Sequence, residues 1–244
     1  MKKEKDKDIK ILLIIPAYNE EENILNTCNG IIEYNKKNNT NYEFIVINDG
    51  SRDNTSKILA DNKLPHINLI NNLGIGGAVQ TGYKYAFDNN YDIAIQYDGD
   101  GQHDVSYVNT IIKSIIDGNA SMVIGSRFID KNTETFKSSL ARRMGINLIS
   151  KVIKLKTGKK VFDTTSGFRA VNKDIIKLFA SRYPTEYPEP ISTVEVLSKG
   201  YIVNEVQVEM KERVGGVSSI TSWKTAYYMI NVILSMLIIE RKVK

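Results

Sequence analysis

The sequence predicts an α/β fold in which a mostly parallel, doubly wound sheet carries helices on both faces. Short apolar runs alternate with helix-like segments over the first two thirds of the chain. The run over residues 11–15 is continuous and stops at Pro16, which is typical of a strand buried on both faces of a parallel sheet. Polar clusters follow these runs, at the carboxyl ends of the predicted strands, where ligands of such sheets bind.

The predicted elements follow one another in a regular order. The strands cover residues 11–15, 42–47, 67–70, 91–97 and 121–125, and the helices between them cover residues 20–34, 55–62, 77–89 and 105–117. Acidic residues in the first turn of the first helix favour its dipole. The last third breaks this rhythm and predicts a helix over residues 140–155, an alternating strand over 201–210 and an apolar helix over 223–239.

Length and composition are those of a globular protein. The 244 residues are 42% hydrophobic and 25% charged, with a net charge of +5, which is enough apolar material for one large core. We expect one domain over residues 1–220 and a C-terminal apolar helix over residues 221–244, docked or interfacial because its apolar run is too short for a membrane span. A single cysteine, Cys28, excludes an internal disulfide and fits a reducing compartment.

The sharpest motif follows the fourth predicted strand. Asp98 and Asp100 stand one residue apart in a Gly-rich turn, so that both carboxylates can face one divalent cation. Mg²⁺ and Mn²⁺ prefer oxygen ligands and keep positions open for phosphate oxygens. A Ca²⁺ hand is not expected, because the downstream glutamate spacing is missing. His103 is either an aid to the metal or a polar residue of the turn.

Two further polar clusters follow the first and second strands. Pro16, Tyr18 and Glu20 come after the first strand, and Asp49 comes after the second. An aspartate at such a point can accept hydrogen bonds from base N–H groups, and an aromatic ring can stack on the base. A glycine run over residues 74–77 opens the next helix, where anions are favoured. Its spacing matches neither a dinucleotide-binding fingerprint nor a P-loop.

Seven motifs together resemble glycosyltransferase family 2, the inverting enzymes with the GT-A fold. Each motif is modestly specific, and their joint occurrence in the family's order is highly specific. The motifs are IPAYNE at 15–20, NDGSRD at 48–53, NLGIGG at 72–77, DGDGQ at 98–102, GSR at 125–127, TSGFR at 165–169 and RVGGVS at 213–218. The sequence is most similar to the branch that contains dolichyl-phosphate mannose synthase and bacterial polyprenyl-phosphate sugar transferases.

The resemblance implies roles for individual residues. Those that bind the nucleotide sugar would be Pro16, Tyr18, Glu20, Asp49, Gly76 and Asp98. Asp98 and Asp100 would hold the metal, with Gln102 nearby. Those at the acceptor phosphate would be Arg127, Ser166 and one of Arg142 and Arg143. Arg213 would close over the diphosphate.

The general base is the point at which the sequence departs from the family. Many members carry an acidic pair in the segment that here covers residues 187–190, and only Glu189 matches, poorly. A sugar hydroxyl needs a base to become a good nucleophile. A polyprenyl phosphate is already anionic and needs cations to position it, together with a metal that stabilises the departing diphosphate.

Residues 140–161 supply such cations and contain no acidic residue. The cations are Arg142, Arg143, Lys151, Lys154, Lys156, Lys159 and Lys160. An apolar stripe in the same segment makes it amphipathic, which suits an anionic membrane surface. The alternative is a solvated helix that packs on the core.

The sequence thus predicts an inverting transferase that moves a sugar from a nucleoside diphosphate sugar to a polyprenyl phosphate, with Mg²⁺ or Mn²⁺, in the cytoplasm at the inner face of the cell membrane. UDP is the preferred nucleotide, GDP and dTDP are alternatives, and no nucleic-acid partner is expected. The runner-up is a polysaccharide-extending transferase with a sugar hydroxyl as acceptor. A nucleotidyltransferase would need a Gly-rich motif with a lysine near its start, and the intact Asp98 and Asp100 disfavour a non-catalytic binding module.

Overall fold

The architecture comes from a computed structural model that describes residues 9–129, 140–210 and 222–239. The strands are β1 (Ile11–Ala17), β2 (Tyr42–Asn48), β3 (His66–Asn68), β4 (Ile93–Gln96), β5 (Met122–Ser126), β6 (Arg169–Asn172) and β7 (Val203–Gln207). They form one sheet in the order β3-β2-β1-β4-β6-β5-β7. This arrangement confirms the predicted α/β class and its mostly parallel sheet.

Strand direction decides which segments meet at the carboxyl edge of the sheet. Parallel pairing joins β1 to β2 and β4, β2 to β3, and β5 to β7. Strand β6 lies between β4 and β5 and runs antiparallel to both. Its first residue, Arg169, is paired with Gln96, the last residue of β4. An antiparallel strand begins where its neighbours end, so β6 brings the loop before it to the carboxyl edge.

The sheet is buried on both faces, as a doubly wound fold requires. Along β1, Leu12 and Ile14 belong to one hydrophobic layer, Leu13 and Ile15 belong to the other, and all four are fully buried. The helices are α1 (Ile24–Asn38), α2 (Thr55–Asp61), α3 (Gly74–Asp88), α4 (Val108–Ile116), α5 (Leu140–Thr157), α6 (Lys173–Ser181), α7 (Pro188–Ser198) and α8 (Ser222–Ile238). Helices α1, α2 and α4 contribute to the second layer, and the other helices contribute to the first.

Several element boundaries differ from the prediction. Helix α1 begins at Ile24 and not at residue 20, because Asn19 has a positive φ of 55° and the residues after it form a turn. The acidic residues therefore precede the helix, and its first turn contains none. A 3₁₀ turn over Val105–Tyr107 precedes α4. Strand β7 ends at Gln207, before the predicted residue 210, and Met210 forms an isolated bridge with His103.

Three elements of the last third were outside the prediction. Strand β6 and helices α6 and α7 are short, and they begin with arginine, lysine and proline respectively. None of these starts resembles the apolar runs that mark the other strands. Of the three, β6 matters most for the site, because it lies between β4 and β5 and runs antiparallel to both.

Helix α8 docks on the rest of the molecule through one side. It packs against α5 and α7, and Val232 and Met236 are fully buried there. Gly145 of α5 allows the close approach, since a Cβ at that position would lie 3.2 Å from Met229 Sδ. Among the helices in the described ranges, none combines the length and the hydropathy that crossing a membrane requires.

Candidate active site

The carboxyl edge of the sheet brings several of the polar motifs together. Strands β1, β2 and β4 end there at Ala17, Asn48 and Gln96, and β5 ends there at Ser126. Strand β6 begins at the same edge with Arg169. Residues that are far apart in the sequence therefore become neighbours around the end of β4.

Asp98 is held in place by His103. The Nε2 atom of His103 lies 2.9 Å from Oδ2 of Asp98, and the Asp98 side chain is 32% exposed. Burial alone would raise the pKa of Asp98, but His103, Gln96 and Arg127 outweigh that effect and lower the pKa. Asp98 is therefore ionised at neutral pH and still open to solvent, and a carboxylate must be deprotonated to bind a metal.

Asp100 lies deeper in the same turn. Its Oδ1 accepts a hydrogen bond of 3.1 Å from the backbone N–H of Gln102, and its residue surface is nearly all buried. Thr27 fixes the turn by donating a hydrogen bond of 3.0 Å to the Gly99 carbonyl. Two carboxylates on a fixed turn fit the preference of Mg²⁺ and Mn²⁺ for oxygen.

A metal at this turn would be held by Asp98 and Asp100 among the described residues. In the part of the chain that the structure describes, no group of three His, Cys, Asp or Glu side chains is arranged to hold a metal ion. Asp98 and Asp100 would thus leave most coordination positions to phosphate oxygens and water. Binding of metal and nucleotide should then depend on each other.

The glycine of the TSGFR motif, Gly167, packs against the Asp98 carboxylate. A Cβ at this position would lie 2.9 Å from Oδ2 of Asp98 and 3.0 Å from Nε2 of Gln96. A larger residue would therefore push directly on the Asp98 carboxylate. The loop before β6 forms the wall of the site beside Asp98.

Glu189 reaches the same place from the first turn of α7. Its Oε1 lies 3.5 Å from Nε2 of Gln96, which also bonds Asp98. Burial raises the pKa of Glu189, and the nearby Asp98 raises it further against the opposing effect of Arg169. The sequence pattern matched Glu189 poorly to a general base, whereas the fold brings it beside the Asp98 turn.

Arg169 is a site residue that sequence reasoning missed. It is almost completely buried, and its guanidinium donates to the backbone carbonyl groups of Glu189 and Ser166 at 2.5 and 2.6 Å and to Thr193 Oγ1 at 2.9 Å. These bonds tie β6 to the start of α7 and fix Glu189. The sequence did contain a signal for this residue, because Arg169 is the last residue of the TSGFR motif.

The comparison with known sequences identifies the family. The profile described as Glycosyl transferase family 2 matches residues 12–179. The chain belongs to glycosyltransferase family 2.

Relatives of this glycosyltransferase span most of its length. It is 34% identical over 222 residues to UDP-N-acetylglucosamine--dolichyl-phosphate N-acetylglucosaminyltransferase of Methanococcus voltae, covering 84% of this chain and 86% of the relative. It is 27% identical over 222 residues to polyprenol monophosphomannose synthase of Mycolicibacterium smegmatis, covering 87% and 81%.

A solved structure supports the fold assignment. The glycosyltransferase superposes on glucosyl-3-phosphoglycerate synthase of Mycobacterium tuberculosis, solved with Mn²⁺, UDP and phosphoglyceric acid, with a TM-score of 0.68. The two chains are 18% identical, and the match covers 94% of this chain and 78% of the other. The shared architecture is the GT-A fold that the motifs predict.

The predicted nucleoside residues of the glycosyltransferase lie around the ends of β1 and β2. Pro16 is buried in β1, Tyr18 is exposed beyond it and Glu20 is half-buried. Asp49 is buried, and its Oδ1 accepts a hydrogen bond of 2.7 Å from the backbone N–H of Leu73. Burial raises the pKa of Asp49 despite that bond. Contacts of these side chains with a base stay predictions.

Gly76 has a packing role in the structure. A Cβ at this position would lie 2.3 Å from the carbonyl oxygen of Pro184 and 2.4 Å from that of Thr185. The first turn of α3 and the segment before α7 therefore approach each other as closely as two backbones can. This contact accounts for the glycine without a phosphate, and the predicted contact with the donor stays a prediction.

Arg127, predicted to bind the acceptor phosphate, is paired inside the protein. Its Nε and Nη2 atoms bond the two carboxylate oxygens of Asp163 at 2.7 and 2.8 Å, and Nη2 lies 3.1 Å from Thr165 Oγ1. Sequence reasoning missed Asp163. Ser166 is also buried, and its Oγ accepts from the Phe168 N–H at 3.3 Å. Both side chains thus have internal partners, and the predicted contacts of Arg127 and Ser166 with an acceptor phosphate stay predictions.

The other predicted acceptor cations are described only in part. Arg142 and Arg143 both lie on α5, and the Arg143 side chain is exposed. The side chain of Arg142 and the whole of Arg213 lie outside the described residues.

Proposed function

We propose that this family 2 glycosyltransferase moves a sugar from a nucleoside diphosphate sugar to a polyprenyl phosphate, with inversion at the anomeric carbon. The observation that carries the proposal is the turn after β4, where the ionised, partly exposed Asp98 stands next to the buried Asp100. The names of the Methanococcus voltae and Mycolicibacterium smegmatis relatives support it, because the first names dolichyl phosphate and the second a polyprenol monophosphate sugar.

Asp98 and Asp100 would hold Mg²⁺ or Mn²⁺ against the diphosphate of the donor. The cation, when bound, supplies positive charge that stabilises the departing diphosphate. Tyr18 is exposed just beyond the end of β1, and we propose that its ring stacks on the base. The UDP-sugar named for the 34% identical relative supports UDP over GDP and dTDP. Arg213 is proposed to close over the diphosphate.

The acceptor brings its own nucleophile. A phosphate oxygen of the polyprenyl phosphate forms the bond to the anomeric carbon while the bond to the nucleoside diphosphate breaks, so no proton has to be removed. The protein must then position an anion, and charge-assisted hydrogen bonds do this well. We propose Arg143, which is exposed on α5, for that task, with Arg142 beside it in the sequence.

The surface formed by α5 and α8 supports a place at the membrane. Leu155 of α5 is 86% exposed and Ile238 of α8 is 79% exposed, and Met144 and Leu234 are exposed on the same two helices. Helix α5 contributes arginine and lysine residues and no acidic residue. Exposed apolar side chains beside cations suit the headgroup region of an anionic membrane. We propose that the enzyme lies there peripherally, on the cytoplasmic side.

One experiment tests donor and acceptor together. Purified protein is incubated with Mn²⁺, a short-chain polyprenyl phosphate and a panel of UDP-, GDP- and dTDP-sugars, and the lipid products are identified by mass spectrometry. We expect one glycosylated polyprenyl phosphate and one favoured nucleotide. A panel in which no donor is consumed, and in which calorimetry detects no nucleotide binding with Mn²⁺, would overturn the proposal.

The second candidate function is transfer to a sugar hydroxyl during polysaccharide extension. Glu189 favours it, because a carboxyl group with a raised pKa beside the Asp98 turn has the character of a general base. A hydroxyl acceptor requires Glu189 as a base, whereas a phosphate acceptor requires no base. Comparing the Glu189→Gln variant on a polyprenyl phosphate and on an oligosaccharide acceptor therefore separates them.

A further inference from the structure

His103 is fixed on every side by groups near the candidate metal turn. Its ring is 1% exposed and stacks on Phe168, with a centroid distance of 4.7 Å and an interplanar angle of 22°. The Tyr97 ring packs at 5.5 Å, and the Tyr97 hydroxyl donates a hydrogen bond of 2.7 Å to the His103 carbonyl. The backbone of His103 also forms the isolated bridge with Met210.

The polar edge of this ring has one partner among the described residues. Nε2 lies 2.9 Å from Oδ2 of Asp98, whereas Nδ1 is buried without a hydrogen-bond partner. An ionised carboxylate only accepts hydrogen bonds, so Nε2 must carry the hydrogen in this contact.

Packing alone does not account for a histidine here. The ring lies between Phe168 and Tyr97, where a phenylalanine would fill similar space without leaving a buried nitrogen unpaired. An unpaired buried polar atom costs free energy. The bond to Asp98 is the compensating interaction, and it acts on a carboxylate that the sequence motif marks as a metal ligand.

We propose that His103 is a positioning residue that holds the Asp98 carboxylate in the orientation needed to bind a divalent cation with the nucleotide. It donates to one oxygen of Asp98 from a buried ring packed between Phe168 and Tyr97, while the side chain of Asp98 stays partly exposed to solvent. A group behind a metal ligand fixes the ligand's orientation in this way. The proposal rests on the proposed function, because it assumes that Asp98 binds the cation.

The test compares three variants by calorimetry of UDP binding, with Mn²⁺ and with EDTA. His103→Phe keeps a ring between Phe168 and Tyr97 and removes the donor. His103→Gln keeps an N–H donor at similar reach. Tyr42→Phe is the matched control, because it removes a tyrosine hydrogen bond, to Asn109, at the other end of the sheet and leaves every contact of His103 intact. Thermal unfolding without ligand checks that each variant is folded.

We expect His103→Phe to weaken Mn²⁺-dependent UDP binding by about 10- to 100-fold, the usual cost of losing such a partner. Binding of UDP in EDTA should not change, and His103→Gln should recover most of the Mn²⁺-dependent affinity. Tyr42→Phe should lower the unfolding temperature and leave the affinity near that of the wild type.

Three results would overturn the role of His103 alone. The first is a His103→Phe variant that binds UDP with wild-type affinity in Mn²⁺. The second is a His103→Gln variant that binds UDP as weakly as His103→Phe. The third is a loss of UDP affinity that is equal in Mn²⁺ and in EDTA, which indicates a packing effect. Failure of the wild-type protein to bind UDP with Mn²⁺ is a different result. It would overturn the proposed function, and the role of His103 with it.

Discussion

The two sides of the carboxyl edge are built in different ways. After β1 and β2, side chains bond the backbone of neighbouring loops, as Ser51 does with the Asn19 N–H and Asp49 with the Leu73 N–H. After β5 and before β6, buried charges are paired or enclosed, as in the contact of Arg127 with Asp163. The first side is a rim of short loops set by the strands, and the second depends on contacts between segments that are distant in sequence.

Two carboxylates beside Gln96 sharpen this comparison. Burial acts on both Asp98 and Glu189 in the direction that raises the pKa. For Asp98, the contact with His103 and the nearby Arg127 reverse the effect, so its pKa is lowered. For Glu189, Arg169 offsets only part of it, and its pKa is raised. One carboxylate is thus prepared to bind a cation, and the other to hold a proton more easily.

The largest expected effect is on the metal turn. Asp100→Asn removes the charge from one of the two proposed metal ligands, and a bound metal contributes several kcal/mol of charge stabilisation, so turnover should fall by about a hundredfold or more. Thermal unfolding without ligand should change little, since asparagine keeps the acceptor for the Gln102 N–H. Near-normal turnover of this variant in Mn²⁺ buffer would contradict the metal assignment.

The next effect concerns the cations on α5. Replacing Arg142 and Arg143 together by alanine should weaken acceptor use by about 1.5–3 kcal/mol per phosphate contact, roughly ten- to a hundredfold each. Donor binding, measured by calorimetry with UDP and Mn²⁺, should stay unchanged. Lys173→Ala, a cation on α6 that lies near Asp92, serves as the matched control. If the double variant loses donor affinity as much as acceptor use, these arginines do not act specifically on the acceptor phosphate.

A smaller effect should appear at the membrane surface. Leu155→Ser and Ile238→Ser remove exposed apolar side chains from α5 and α8. Each should weaken sedimentation with vesicles of anionic lipid by roughly fivefold, since membrane affinity scales with buried apolar area. Ile70→Ser, a change at an exposed residue after β3, is the control and should have no effect. If Leu155→Ser and Ile238→Ser bind vesicles as well as Ile70→Ser does, α5 and α8 do not contact the membrane.

The smallest effect on activity is expected at Glu189. Glu189→Gln should reduce turnover of a short-chain polyprenyl phosphate by less than about threefold, because an anionic acceptor needs no base, whereas a general base contributes about 10²- to 10⁴-fold. If Glu189→Gln is inactive and the double arginine variant is nearly normal, the acceptor is a sugar hydroxyl and not a polyprenyl phosphate.

The same variant has an expected pH dependence of stability. The pKa of Glu189 in the folded protein is raised above its ordinary value of 4.5, so the wild type loses stability as pH rises from that value through the raised pKa. Glutamine does not titrate. The unfolding temperature of Glu189→Gln relative to the wild type should therefore be higher at pH 8 than at pH 4, and a difference that shrinks with pH would contradict the assigned environment.

The sequence by itself determined the parallel half of the sheet and the turn with two aspartates that follows β4. Apolar runs such as residues 11–15 and 42–47 mark buried strands through local composition, and a turn such as that of Asp98 and Asp100 is written in consecutive residues. These features depend on neighbours along the chain, so their pattern is visible without the fold. The element boundaries were less secure, because a single residue such as Asn19 with its positive φ decides where α1 begins.

Only the tertiary structure decided which distant groups meet at the site. Arg127 and Asp163 are 36 residues apart, and Gln96 and Glu189 are 93 residues apart, so neither pair has a local signal. The antiparallel course of β6 brings the loop before it, with Asp163, to the end of β4, and Arg169 at the start of β6 holds Glu189 there. The environment that separates the pKa of Asp98 from that of Glu189 is likewise made by folding, because burial and charge partners exist only once these segments pack together.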